Sequence, residues 1–293
     1  MIEYPWYSHP ILYRVLVLSI KILNKEPLRI GAGRGSPLSP IDLPVITIRL
    51  PEGNPPYIPG SSLKGTFRST AEYIVRSLGI NACQAGACSL MLWDERERIR
   101  YGERLNRLLR EGNEKEVIEL LSRYCLICKL FGSSSFSSHL NFEDAYPTGG
   151  VSTSMKTGIA INRRSGAAQR GALYQVEFVN PGHEFKSKIV AKNVPNYGLG
   201  LLAVILDYLN EGIIKLGGFK SRGFGKVKVE VKEIKGKTLK DNSYISLSEV
   251  KKLPALDEYD IDIEINPDDI DGTLKEFKKA WWTYANRQRT VRG

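Results

Sequence analysis

The sequence predicts an α+β fold with an antiparallel or mixed sheet. Strand-like runs rich in Val, Ile and Leu interleave with helical stretches that carry apolar stripes. Hydrophobic residues make up 42% and charged residues 25%, a globular balance rather than a disordered one. The 293 residues are enough for one large domain or two small ones. No long-period repeat and no low-complexity tract interrupts them.

In chain order, Leu12 to Leu23 reads as a long first strand. Leu28-Arg29-Ile30 leads into Gly31-Ala32-Gly33-Arg34-Gly35, a basic turn. Val45 to Leu50 is a second strand candidate. Residues 61–78 are a helix, with Leu63, Phe67, Ala71, Ile74, Val75 and Leu78 on one stripe. Residues 82–130 read as an insertion around a helical stretch from Arg98 to Ser122. Residues 131–154, rich in Ser, Gly and Thr, read as loop. Ile159–Ile161 and Ala172–Val179 are short strands flanking a protruding loop, Asn162 to Gly171. His183 to Ala191 is another strand, and Leu199 to Leu209 an apolar helix. Val227 to Val231 is the strand that follows. Ile245 to Ile265 has no clear assignment. Thr273 to Asn286 is helical, and Arg287 to Gly293 a loose basic tail.

Lys and Arg total 42 against 32 Asp and Glu, a net charge of +10. That favours a polyanionic partner, nucleic acid first and an anionic membrane second. A solvated basic surface is the plainer alternative. The N-terminus lacks the basic-then-apolar order of a signal peptide, and no uncharged apolar run is long enough to span a bilayer. The expectation is an intracellular, cytoplasmic protein with no membrane partner.

Gly217-Gly218-Phe219-Lys220-Ser221-Arg222-Gly223-Phe224-Gly225 sits at a helix-to-strand junction. Glycines let another backbone come close, and a lysine and an arginine beside them suggest that this backbone carries phosphates. Phe219 and Phe224 either stack on bases or pack in the core.

Gly60-Ser61-Ser62 reads as a serine cap for the helix at 61–78. Its first turn combines unpaired backbone N–H groups, serine hydroxyls, Lys64 and Arg68, as a phosphate site would. The same residues also suit an ordinary capped amphipathic helix.

All four cysteines fall into two pairs, Cys83/Cys88 and Cys125/Cys128. The spacings can place four thiolates around one structural zinc, with no position left for substrate. A disulfide or two unrelated buried pairs are the alternatives.

Four segments, in order, carry a resemblance. They are Pro40-Ile41-Asp42-Leu43-Pro44-Val45; Tyr57-Ile58-Pro59-Gly60-Ser61-Ser62-Leu63-Lys64-Gly65-Thr66-Phe67-Arg68; Gly158 to Ala168 with Leu173-Tyr174; and the glycine-rich loop. Together they resemble the RAMP superfamily, specifically the repeated backbone subunit of type III CRISPR (Csm/Cmr) RNA-targeting complexes, an antiviral defence system. The match spans roughly residues 12–232.

The resemblance implies a ferredoxin-like (RRM-like) core with an antiparallel sheet over residues 1–234. It implies a zinc-binding helical insertion at 82–130, a protruding thumb hairpin at 156–175, and an unmatched C-terminal extension, 235–293, packing on or trailing from the core. It implies copies that self-associate as a filament or ring along one guide RNA, beside other effector subunits. The thumb kinks guide and complementary target RNA, and Asp42 matches the aspartate that supports cleavage at each kink. The family pattern has Asp where this chain has Asn162, and often a histidine among its zinc ligands.

Guide binding must tolerate any sequence, so it needs phosphate and sugar contacts. Lys64, Arg68, Lys220 and Arg222 are the first candidates, with Ser61, Gly218, Gly223 and Gly225 beside them. Arg34, Arg163, Arg164 and Arg170 come second. For cleavage, the target 2′-hydroxyl would attack the adjacent phosphate. Asp42 would take its proton or hold a divalent cation such as Mg or Mn. Otherwise Asp42 is a turn-forming residue before Leu43-Pro44. His139 and His183 are alternative acid–base groups. Rival readings are a non-catalytic scaffold of the same complex, a guide-processing RAMP endoribonuclease, and a basic zinc-stabilised protein–protein module.

Overall fold

Strand β1, Arg14–Asn24, alternates buried and half-buried residues along its length. A period of two puts Leu16, Leu18, Ile20 and Ile22 on one face, which must be covered by apolar elements. The computed structural model describes residues 4–33, 41–51, 53–95, 97–240, 243–249, 251–266 and 268–290, and in it β1 is the centre of an antiparallel sheet. Its other strands are β2 (Leu140–Phe142), β3 (Tyr146–Pro147), β6 (Glu184–Lys192), β7 (Val227–Lys240) and β8 (Ser243–Ser246). The order is β8-β7-β1-β6-β2, with β3 also pairing with β6. A separate hairpin, β4 (Thr153–Ile161) and β5 (Ala168–Val179), stands off this sheet. The fold is α+β with antiparallel sheets, as the sequence indicates.

Helices α1 (Gly60–Ser77) and α5 (Asn196–Glu211) cover the apolar face of the sheet. Leu63, Phe67, Ala71 and Val75 of α1 meet Leu201, Leu202 and Ile205 of α5 in one core with the β1 residues. The insertion contributes α2 (Tyr101–Glu111), α3 (Glu114–Ser122) and α4 (Leu126–Phe131). Leu105, Leu108, Leu120, Leu121 and Tyr124 form a second, smaller core there. Helix α6 (Ile270–Thr290) packs on α5 through the fully buried Trp281 and Phe277.

Several elements differ from the sequence reading. Val45 to Leu50 is not a strand; isolated bridges join Val45 to Gly31, Thr47 to Pro56 and Leu50 to Gly53, because flanking prolines turn the segment back on itself. Residues 131–154 are not all loop. Leu140–Phe142 joins the sheet because Phe142 packs on Phe67 and Phe131, so burial overrides the polar composition around it. The Arg98–Ser122 stretch is two helices, broken at Gly112, whose φ of 67° closes α2. The protruding loop is the tip of a long hairpin, and its last four residues, from Ala168, already belong to strand β5. Arg287 lies in α6 rather than in a loose tail.

Candidate nucleic-acid groove and metal centre

Helix α1 begins differently from the serine cap expected. Its N-cap is Pro59, and no side chain of its own segment caps it. Asp144, which follows β2, accepts from the Gly60 N–H at 2.7 Å. The carboxylate reaches the helix because β2 runs alongside it, and it suits the positive helix end. Ser61 is therefore released from capping and is exposed.

Ser62, Gly65 and Ser69 of α1 form one wall of an open groove. Gly217, Gly218 and Lys220 form the facing wall, and Arg29, Gly31 and Gly33 its end. Two segments more than 140 residues apart in sequence are thus brought together as the phosphate reading requires. The glycine N–H groups are only partly available. Gly218 donates to Arg29 O and Gly225 to Pro27 O, so these two hold the loop to the chain rather than facing a ligand.

Arg29 was not anticipated. Its guanidinium lies against Gly31, where a Cβ would approach Nη1 to 2.6 Å, and 5.5 Å from the Phe219 ring centroid. Only the missing side chain at Gly31 admits it. Burial pulls its pKa below the usual arginine value. The signal in the sequence was an arginine between the apolar Leu28 and Ile30, two residues before a glycine.

The other side of the loop meets the β4–β5 hairpin. Arg222 Nη1 donates to the Tyr174 hydroxyl at 2.7 Å, and its Cζ lies 5.3 Å from the Phe219 ring centroid. The Tyr174 ring lies across Gly158 of the partner strand, where a Cβ would come within 2.2 Å of it. Two guanidiniums thus lie within cation–π reach of Phe219, whose backbone is in the left-handed region at φ 57°. Phe224 is buried against Phe178 and is a core residue, not a stacking platform. Lys220, Arg222 and Gly223 are exposed.

Asp42 lies at the same hairpin. Its Oδ2 accepts from the Gln175 N–H at 2.7 Å, and Leu43 exchanges backbone bonds with Gln175 and Glu177. Asp42 is therefore not the cap of its own turn; it is pinned to the hairpin one residue from Tyr174. Arg163 and Arg164 are exposed at the hairpin tip, where Asn162 Oδ1 accepts from the Arg164 N–H at 2.9 Å. Asparagine supplies the same turn-forming oxygen that aspartate would. Arg34 lies outside the described residues.

The four cysteine sulfurs all lie within 4.8 Å of one another, and all four cysteines are free of disulfides. The Cys83–Cys128 sulfur separation of 3.2 Å is far beyond a disulfide bond. An all-thiolate set of this size fits a tetrahedral thiophilic ion such as zinc. The Cys125 N–H points at Cys88 Sγ at 3.4 Å, the kind of outer contact that steadies a thiolate. Hydrogen bonds from Cys128, then Cys83 and Cys88, push the Cys125 thiol well below its ordinary pKa.

Arg68 belongs to this centre. Its Nη2 lies 3.6 Å from Cys128 Sγ, its Nη1 donates to Gly132 O at 2.9 Å, and its Nε pairs with the buried Glu72 at 3.1 Å. The phosphate contact expected of Arg68 does not fit this placement, because the guanidinium is turned into the insertion. Lys64, one turn earlier, is half-buried beside it and is not part of the groove wall. Burial, then the Arg68 charge, lowers its pKa.

Neither histidine fits acid–base work near Asp42. His139 is buried with both ring nitrogens facing backbone oxygens, of Lys192 and Tyr7. His183 Nε2 meets the Ser152 backbone and hydroxyl.

These positions coincide with a family pattern: the model of the RAMP superfamily matches residues 21–228. The chain belongs to the RAMP superfamily. No curated protein matches it significantly. RAMP proteins are in general CRISPR-associated RNA-binding proteins, and the basic groove accords with that chemistry. The matched span of this RAMP protein includes the groove walls, the hairpin with Asp42, and all four cysteines. Among the described residues no helix is long and apolar enough to cross a membrane.

Proposed function

We propose that this RAMP protein is a guide-RNA-binding backbone subunit of a type III CRISPR complex that cleaves bound target RNA beside Asp42. The observation that carries the proposal is the meeting of three features: the α1–loop groove, the Arg222–Tyr174 contact, and Asp42 on Gln175. A guide backbone in the groove would leave at the hairpin, where a kinked target nucleotide would lie beside Asp42. The strand order β7-β1-β6-β2, with α1 and α5 as crossovers, supports a ferredoxin-like core. On this reading the β4–β5 hairpin is the thumb, and the cysteine insertion holds zinc as a structural ion. Other effector subunits and further copies of the chain, in a filament or ring, would complete the complex.

In the cleavage step the target 2′-oxygen bonds to the adjacent phosphorus as the bond to the 5′-oxygen breaks. The products are a cyclic phosphate and a 5′-hydroxyl. Asp42 accepts the 2′-hydroxyl proton, and the leaving oxygen is protonated from water. A divalent cation, where used, would supply charge stabilisation at the phosphate. The in-line geometry supplied by the kink accounts for much of the rate. A second reading, a non-catalytic scaffold, has one specific observation in its favour: the Asp42–Gln175 bond gives Asp42 a purely structural task. RNA copurification and target cleavage by wild type and Asp42→Asn, with and without partner subunits, separates the two.

A further inference from the structure

The face of the main sheet turned away from α1 and α5 is open. On β1 it presents Val15, Val17, Ser19 and Lys21, all half-buried. The strands on either side add two rows of lysines. Lys192 of β6 and Lys237 of β7 both pair with Val15, and Lys188 of β6 pairs with Ser19. Lys186 follows at the next outward position of β6.

The carboxylates of this face on the three central strands are already matched. Glu184 pairs with Lys21 at 2.9 Å, Glu230 with Lys232 at 2.6 Å, and Glu233 with Lys235 at 2.7 Å. Among the described residues, Lys186, Lys188, Lys192 and Lys237 have no ion-pair partner, and all four are exposed. The exposed Glu143 lies at the edge, its N–H donating to Lys188 O at 3.0 Å, so the four lysines outweigh it and the face carries a net positive charge over an apolar and small-residue floor.

We infer that this open sheet face is a second track for single-stranded RNA, separate from the groove on the helical side. Outward lysines two apart on a strand repeat at about 6.8 Å, close to the pitch of successive phosphates on an extended single strand. The flat Val15–Val17 floor lets a sugar–phosphate chain lie between the two lysine rows. The three central strands place no aromatic side chain on this face, so the floor between the lysine rows has no stacking platform; the exposed Tyr146 and Tyr244 lie on the edge strands, opposite Lys186 and Leu239. Binding is through phosphates, indifferent to sequence and strongly salt-dependent. The inference does not rest on the guide-binding role of the groove.

The test uses the full chain and a labelled single-stranded RNA of mixed sequence, titrated across salt concentrations. The variant carries Lys186→Ala, Lys188→Ala, Lys192→Ala and Lys237→Ala. It should flatten the dependence of log K on log salt by about 3, at roughly 0.7 per lost phosphate contact. The same four positions changed to Arg should keep the slope. Lys220→Ala should leave RNA cross-links to Lys188 and Lys192 in place, whatever it does to the groove. An unchanged slope in the alanine variant with an unchanged thermal midpoint overturns the inference. So does cross-linking of these lysines to carboxylates of another protein copy and not to RNA.

Discussion

The Arg222 guanidinium and the Tyr174 hydroxyl meet at 2.7 Å, latching the glycine-rich loop to the shaft of the hairpin. The loop also holds Phe219 in a backbone region that costs a phenylalanine about 1–2 kcal/mol. Loop and hairpin are thus one unit. We expect Arg222→Ala and Tyr174→Phe to be non-additive, with a coupling of about 0.5–1 kcal/mol in a double-mutant cycle. Hydrogen exchange of β5 amides reports it; independent effects would contradict the latch.

Arg68 separates two accounts of α1. Bound to Glu72, Gly132 O and Cys128, it stabilises the insertion and leaves the groove to others. Arg68→Ala should cost about 1–3 kcal/mol of stability, since it removes the Gly132 carbonyl's donor and one partner of the buried Glu72, which keeps Arg76 and the Ala85 N–H. The salt slope of RNA binding should stay unchanged. A slope lowered by about one with stability intact would restore the phosphate role.

The cysteine centre should hold about one zinc per chain. Cys128→Ser, or a strong chelator, should lower the thermal midpoint and open α2–α3 to proteolysis before the main sheet. The sheet has its own core, separate from the cluster around Leu105 and Tyr124. Protein purified without added zinc that contains none and is equally stable would contradict a metal centre.

His139 gives a pH dependence with a definite sign. Burial, then the neighbouring His9, lowers its pKa to about 4, below the ordinary value of 6.5. The unfolded chain therefore takes up the proton first as pH falls. This contribution to stability is complete above pH about 6.5 and falls away down to pH about 4, by roughly 3 kcal/mol in all. Urea unfolding at pH 7.5 and 5 should show the loss, and His139→Asn should reduce it.

Much of this was legible because it is local or periodic. The α1 stripe, the first strand and the paired cysteines follow from spacing alone. What was hidden depends on distant partners. Leu140–Phe142 is a strand only because Phe142 meets Phe67 and Phe131. The cap of α1 comes from Asp144, 84 residues along the chain from Gly60. Arg68 looked like a phosphate ligand because sequence does not show that Cys128, 60 residues away, lies beside it. Arg29 escaped notice because its environment is assembled from Gly31 and Phe219.

The most direct test of the central claim is target cleavage by an assembled complex carrying Asp42→Asn. The amide keeps an oxygen for the Gln175 N–H, so the hairpin stays pinned, but the charge and the proton acceptor are gone. The account predicts wild-type RNA affinity and loss of the regularly spaced cuts and of their cyclic-phosphate ends. Cuts at the same positions and at the wild-type rate would contradict it, and leave Asp42 as the structural pin of the hairpin.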